Sequence, residues 1–378
     1  MKIGITCYPT YGGSGAVATE LGIALAQRGH EVHFVTYKQP FRLPTFLPRV
    51  YFHEVDVGRY PLFEFPPYDL ALAVRMHEVV REKNLDLLHC HYAIPHATSA
   101  WITKQMLREE KRDISVITTL HGTDITIVGQ DPSFHSITKF SIEKSDALTA
   151  VSFYLQKETL NAFGCTACRI DVIPNFIDPK VYDRSRHSGQ TRAQFDGDRK
   201  VLMHISNFRP VKRVRDVVQV FAKVNKRVPS VLVMVGDGPD RHDAEQHARD
   251  LGVEPSVRFL GKIDSVAPLL AAADLFLLPS NAESFGLSAL EALASGTPVI
   301  GTNVGGLPEV VRHGETGVLC DVGDVDGMAR AATELLLDGA KWKDMSACAT
   351  SDARERFSMD DIVEQYEQAY VQALALTA

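Results

Sequence analysis

The sequence has little cysteine, little tryptophan and no excess of positive charge. Its 378 residues include six Cys and two Trp, and 40 Lys and Arg stand against 47 Asp and Glu, a formal charge of −7. The cysteines, Cys7, Cys90, Cys165, Cys168, Cys320 and Cys348, are too sparse for a disulfide-stapled secreted domain and fit a reducing cytoplasm. The acidic balance offers no global field for nucleic acid or anionic lipid, although a local basic pocket stays open. No apolar run reaches the roughly 18 residues of a membrane-spanning candidate. Met1-Lys2-Ile3-Gly4-Ile5-Thr6 enters an apolar strand pattern at once, without the n-region, h-region and cleavage site of a signal peptide. What remains is an ordinary globular composition, long enough for two domains of roughly 100–200 residues.

Short β-rich runs alternate with helical stretches. Residues 2–8, 31–37, 50–57, 87–91, 115–120 and 147–151 read as strands, with helices over about 15–28 and 69–83. The alternation resumes with strands at 201–205, 230–235, 257–260, 274–278 and 298–301, a helix at 214–226 and a last helix at 360–375. Continuous apolar strands separated by helices predict a parallel sheet covered on both faces, an α/β doubly wound architecture. Between Pro174 and Lys200 no apolar period is sustained. Pro179, Arg184-Ser185-Arg186-His187-Ser188-Gly189 and Asp196-Gly197-Asp198 read there as an interdomain linker. Two like halves would leave a cleft where strand ends can converge on one ligand.

Three motifs carry possible chemistry. Tyr11-Gly12-Gly13-Ser14-Gly15 lies between a strand and a helix, where backbone N–H groups can approach an anion. Taken alone, the motif reads first as a tight strand-to-helix turn. His204-Ile205-Ser206-Asn207-Phe208-Arg209-Pro210-Val211-Lys212-Arg213 ends a strand with three cations, a phosphate grip or a solvated basic loop. Glu283 and Glu291 lie eight apart, one before a helix and one inside it, amid Phe285, Gly286 and Leu287. Two such carboxylates can accept from the hydroxyls of one elongated polar ligand, or serve as a helix cap and an unrelated helical Glu. His89-Cys90-His91 puts both His on one strand face without an evident third metal ligand, and reads as a polar structural contact. Cys165-Thr166-Ala167-Cys168 lacks a redox or zinc context and reads as structural or incidental.

Glu283-x7-Glu291, the Gly12-Gly13 loop, Lys212 and Val235-Gly236-Asp237-Gly238-Pro239 together resemble the retaining glycosyltransferase family 4, in matching order along nearly the whole chain. The resemblance implies a GT-B type fold, two Rossmann-like doubly wound domains facing a cleft. The division expected is 1–178 on the acceptor side, with the helix of about 360–378 packed back on it, and 179–359 for the nucleotide-sugar. It also implies roles: Lys212, Glu283 and His121 at the reacting centre, and Gly12, Gly13, Asn207, Arg209, Lys212, Phe285, Gly286, Leu287 and Glu291 around the donor. Many members carry Arg where this chain has Asn207, so Arg209 or Arg213 would supply that charge.

Further stretches resemble one branch of the family: Ile5-Thr6-Cys7-Tyr8-Pro9, His91-Tyr92-Ala93-Ile94-Pro95-His96 and Thr119-Leu120-His121-Gly122-Thr123-Asp124-Ile125-Thr126. They imply transfer of N-acetylglucosamine from UDP-N-acetylglucosamine to the hydroxyl of L-malate, the opening step of bacillithiol biosynthesis. Ser14, Tyr92 and Lys139 are the acceptor residues expected. No metal or cofactor is expected, and the oligomeric state is open. The same donor with an inositol phosphate or glycan acceptor, a nucleotide-sugar epimerase and a non-catalytic binding module are the alternatives.

Overall fold

The computed structural model describes residues 1–58, 64–166, 168–187, 190–195 and 198–377. It divides into two compact units, unit 1 from Met1–Pro174 with Asp360–Ala378, and unit 2 from Asn175–Met359. The division expected was 178/179.

Unit 1 is a seven-stranded sheet of β1 (Lys2–Thr6), β2 (Glu31–Thr36), β3 (Val50–Glu54), β4 (Leu87–His91), β5 (Ser115–Leu120), β6 (Ala147–Ala150) and β7 (Ile170–Val172). The order is β3-β2-β1-β4-β5-β6-β7, and every neighbouring pair is parallel. β4 and β5 are buried at every position, as strands covered on both faces must be, whereas edge strand β3 is partly exposed throughout. The C-terminal helix Met359–Thr377 belongs here because it has an apolar stripe to bury. Tyr366 and Tyr370 are fully covered, and the Tyr370 hydroxyl lies 2.8 Å from His89 Nδ1.

Unit 2 repeats the plan with β8 (Lys200–Ile205), β9 (Ser230–Val235), β10 (Val257–Gly261), β11 (Leu275–Leu278), β12 (Val299–Thr302) and β13 (Gly317–Cys320), in the order β10-β9-β8-β11-β12-β13. All its ladders are parallel too. Helix Val214–Asn225 turns Val214, Val217, Val218, Val220, Phe221 and Val224 into the core of this unit. In each unit the strand order reverses beside the first strand, at β1/β4 and β8/β11. A ligand of a doubly wound sheet binds outside the strand C-termini at such a point.

The stretch read as a linker is instead part of unit 2, apart from Ser188, Gly189, Asp196 and Gly197, which lie outside the described residues. Its buried apolar residues, Phe176, Ile177, Tyr182 and Phe195, fall at no regular spacing, and arginines hold the chain between them. Arg184 donates to the carbonyls of Ala273, Ser295 and Gly296, and Arg192 to Asp274. Cys165 and Cys168 form a disulfide ahead of β7, and the other four cysteines are free thiols.

Candidate active site

In unit 2 the chain leaves β8 into residues 206–209 and a 3-10 turn, Pro210–Lys212, before Val214–Asn225 begins. This loop is held open by a glycine turn after β9. A Cβ on Gly236 would lie 1.8 Å from the Ser206 carbonyl oxygen, and one on Gly238 would lie 2.1 Å from that of Asn207, so only glycine fits either place. The result is an exposed Asn207 and Arg209 with a half-buried Lys212. Lys212 Nζ reaches from the end of β8 to the loop after β11 and donates to Glu283 Oε1 at 2.7 Å. Ser280 Oγ donates to the same oxygen at 2.7 Å. Arg213 is engaged locally, with Asp216 Oδ2 at 2.7 Å and Asn281 Oδ1 at 3.2 Å.

Glu283 is buried, and its carbonyl accepts from Gly306 N–H at 2.8 Å. Three residues on, Gly286 at φ 98° caps helix Leu287–Ala294, with Phe285 buried edge-on against Phe357. The first N–H groups of a helix have no acceptor within it, so the 285–287 turn can offer donors and partial positive charge to an anion. Glu291 lies one turn in, nearly buried, with Oε1 accepting from the Tyr182 hydroxyl at 2.6 Å. The two carboxylates are therefore held separately, Glu283 by a cation and a serine, Glu291 by a phenol.

In unit 1 the first helix starts at Gly13, earlier than the expected residue 15, which puts Gly13 and Ser14 in its first turn. Gly12 and Gly13 are exposed and Ser14 half-buried. A Cβ on Gly12 would meet no described atom within 4 Å, while one on Gly15 would lie 2.5 Å from the Tyr8 carbonyl oxygen. The tight-turn requirement thus falls on Gly15, and Gly12 faces open space.

Directly after β4 stands Tyr92, whose φ of 94° is unusual for a non-glycine residue. Such a conformation costs roughly 1–3 kcal/mol and persists only where neighbours enforce it. Its N–H donates to the Thr119 carbonyl, and its ring packs against Tyr8 and His121, at 5.3 and 5.4 Å between centroids. His121 Nε2 lies 2.8 Å from His91 Nδ1, and burial pushes His121 down to about 3, so the pair shares one N–H between neutral rings. Beneath them Asp124 accepts from the N–H groups of Ala93 at 3.0 Å and Gly122 at 2.9 Å, tying the β4 and β5 loops together, and burial raises it to about 6. His89 spends its ring nitrogens on Tyr370 and Thr119, the polar structural contact expected of it. Lys139 lies on helix His135–Lys144, 3.8 Å from Glu143.

The structure thus gathers Lys212 with Glu283 at the unit 2 switch point, and Tyr92 with His121 in unit 1. Sequence reading missed Ser280, Tyr182, His91 and Asp124 as supports of those groups. Asp124 was visible in its motif; Tyr182 carried no local signal.

Two family models match the chain, Glycosyltransferase Family 4 over residues 11–181 and Glycosyl transferases group 1 over residues 189–352. The chain is 51% identical to N-acetyl-alpha-D-glucosaminyl L-malate synthase of Bacillus anthracis, over 99% of this chain and 97% of the relative. Among solved structures it is similar to sucrose-phosphate synthase of Thermosynechococcus elongatus, with TM-score 0.82 and 23% identity over 100% of both chains. It is also similar to Anabaena HepE in complex with UDP-glucose, with TM-score 0.78 and 20% identity over 98% of this chain and 100% of the other.

Proposed function

The chain belongs to glycosyltransferase family 4 and has the GT-B type fold, and on that premise we propose that it transfers N-acetylglucosamine from UDP-N-acetylglucosamine to the hydroxyl of L-malate. The observation that carries the reading is the 51% identity, sustained over 99% of the chain, to the B. anthracis synthase. A relative that similar over nearly the whole length of both chains does not favour the inositol phosphate, glycan or epimerase alternatives. We further read the step as the opening one of bacillithiol biosynthesis.

The mechanism follows from where charge develops. As the bond from the sugar to the β-phosphate lengthens, its electron pair passes to the phosphate oxygen. Groups that gain interaction with that oxygen lower the barrier more than they tighten ground-state binding. Lys212 is assigned this role, with the N–H groups of Phe285, Gly286 and Leu287 beside it. Lys212 first has to exchange part of its bond to Glu283 for the diphosphate, and Glu283 can then turn to the sugar hydroxyls. Glu291 accepts from the ribose hydroxyls. Exposed Arg209 supplies the second cation that Asn207 cannot, since Arg213 is already paired to Asp216. Gly12 and Gly13 approach the β-phosphate and His121 the transferred sugar. Malate attacks from the face the leaving group departs, which retains configuration, and its hydroxyl proton goes to the departing phosphate oxygen.

Ser14 and Tyr92 are assigned to the malate carboxylates. Lys139 would have to leave Glu143 to serve as their cation. The charge stabilisation needs no metal, so a chelator should leave turnover intact. The test is mass spectrometry of products from the donor with a panel of hydroxy acids and polyols. Uridine diphosphate released with malate alone supports the reading. Release with another acceptor, or a new donor isomer without any acceptor, overturns it.

A further inference from the structure

Tyr182 lies in the stretch whose sequence read as a linker, yet it is nearly buried and its hydroxyl donates to Glu291 Oε1 at 2.6 Å. The backbone around it is fixed. Tyr182 N–H donates to the Asp178 carbonyl, and two residues on Arg184 donates through Nε to the Ser295 carbonyl at 3.0 Å. Arg184 Nη2 reaches the carbonyls of Ala273 and Gly296 and the Thr297 hydroxyl, at 2.8–2.9 Å. Ser295 caps the C-terminus of helix Leu287–Ala294, the helix that carries Glu291. One arginine therefore clamps the Tyr182 segment onto the end of the Glu291 helix, and the phenol stands at a set place relative to the carboxylate.

That matters because the terminal torsion of a glutamate is soft and roughly two-fold, so its oxygens sweep a broad arc unless something holds one of them. A short O–H donor to a carboxylate oxygen is a strong, directional bond. Two vicinal hydroxyls, in turn, are recognised best by a carboxylate whose plane is already fixed, because the ordering cost has been met before the ligand arrives. We infer that Tyr182 is a positioning residue that fixes the Glu291 carboxylate for ribose, and through it a determinant of selectivity for ribonucleotides over deoxyribonucleotides. The inference rests on the reading of Glu291 as the ribose acceptor.

The experiment is calorimetric titration of full-length protein with uridine diphosphate and with 2′,3′-dideoxyuridine diphosphate, for the wild type, Tyr182→Phe, Glu291→Gln and the double variant. The ratio of the two affinities is the readout. Because both titrations use one preparation, any loss of folded protein cancels. The wild type should prefer the ribonucleotide by about tenfold or more, the Tyr182→Phe ratio should shrink by about three- to tenfold, and the double variant should match Glu291→Gln. If Tyr182→Phe weakens both ligands alike, or leaves the ratio untouched while Glu291→Gln collapses it, the positioning role is overturned and the ribose reading stands. A Glu291→Gln ratio equal to that of the wild type overturns the ribose reading and the inference with it.

Discussion

Moving the protein from pH 7.5 to pH 5.5 should cost unit 1 at least about 3 kcal/mol of stability, through histidines that burial keeps neutral. His89, His91 and His96 are each 0% exposed. Burial pushes His89 down to about 3 and His96 down to about 4, and holds His91 well below its ordinary value, with neighbouring histidines adding to the effect there. In the unfolded chain each titrates near ~6.5. The folded values are the lower ones, so the unfolded chain takes the extra proton. The stability is therefore whole above about pH 6.5 and drains as pH falls towards the folded values. At pH 5.5 an unfolded histidine is protonated by roughly ten to one, a loss of about 1.4 kcal/mol relative to pH 7.5, so His89, His91 and His96 together lose about 4 kcal/mol. His53 and His121, pushed down to about 4 and about 3, add to the same side. Asp124 works the other way. Its folded value is raised to about 6, so over the same step the folded state takes up its proton first and regains about 0.8 kcal/mol. Of the two tryptophans, Trp101 lies in unit 1 and Trp342 in unit 2, so Trp342→Phe leaves a fluorescence reporter of unit 1 alone. Guanidinium unfolding curves at the two pH values give the difference directly. A change below about 1 kcal/mol, or a gain on acidification, would refute the reasoning.

Lys212→Ala should lower kcat by about 10²–10³ while the donor KM moves far less, because its charge acts on the leaving group; near-normal turnover at saturating donor removes the role. Tyr92→Phe should raise the malate KM about tenfold and leave the donor KM unchanged, and a malate monoester should be a poor acceptor for the wild type. An ester that reacts as well as malate would end the dicarboxylate reading and leave glycosyl transfer standing. Asp124→Ala strands the N–H groups of Ala93 and Gly122, so steady-state unfolding should show a loss of about 2–5 kcal/mol, together with a higher malate KM.

Much of the scaffold was legible because its strands are buried on both sides. β4, β5 and β9 were located to the residue, since an apolar run bounded by turn residues has few alternative readings. β7 and β13 went unread for want of length: Ile170–Val172 spans three residues, and Gly317–Cys320 spans four between a glycine turn and Asp321. The first strand was read two residues too long because Cys7 and Tyr8 continue its apolar pattern after the pairing has ended at Thr6. The stretch from 174 to 200 was misread for a different reason. Hydrophobic periodicity detects regularly spaced apolar faces, whereas this stretch buries Phe176, Ile177, Tyr182 and Phe195 at irregular spacing and is otherwise attached through guanidinium groups to carbonyls.

The candidate site divides along the same line. Glu283, Gly286 and Glu291 are legible together because a loop, a helix cap and a helix position are set by local spacing, and the structure realises each where the spacing puts it. The groups that hold those side chains in place are not local. Lys212 meets Glu283 across 71 positions of sequence, and Tyr182 meets Glu291 across 109. The first pair exists because neighbouring parallel strands β8 and β11 bring their C-terminal ends side by side, and the second because Arg184 ties the segment ahead of β8 to the end of the Glu291 helix. Composition and motif can therefore name candidate residues for substrate contact, but the residues that orient them are set by topology. Catalytic power in a site of this kind depends on groups being held in place before the leaving-group charge appears. On the proposed reading the contacts that orient the site are accordingly the ones between Lys212 and Glu283 and between Tyr182 and Glu291, which no short window of the sequence contains.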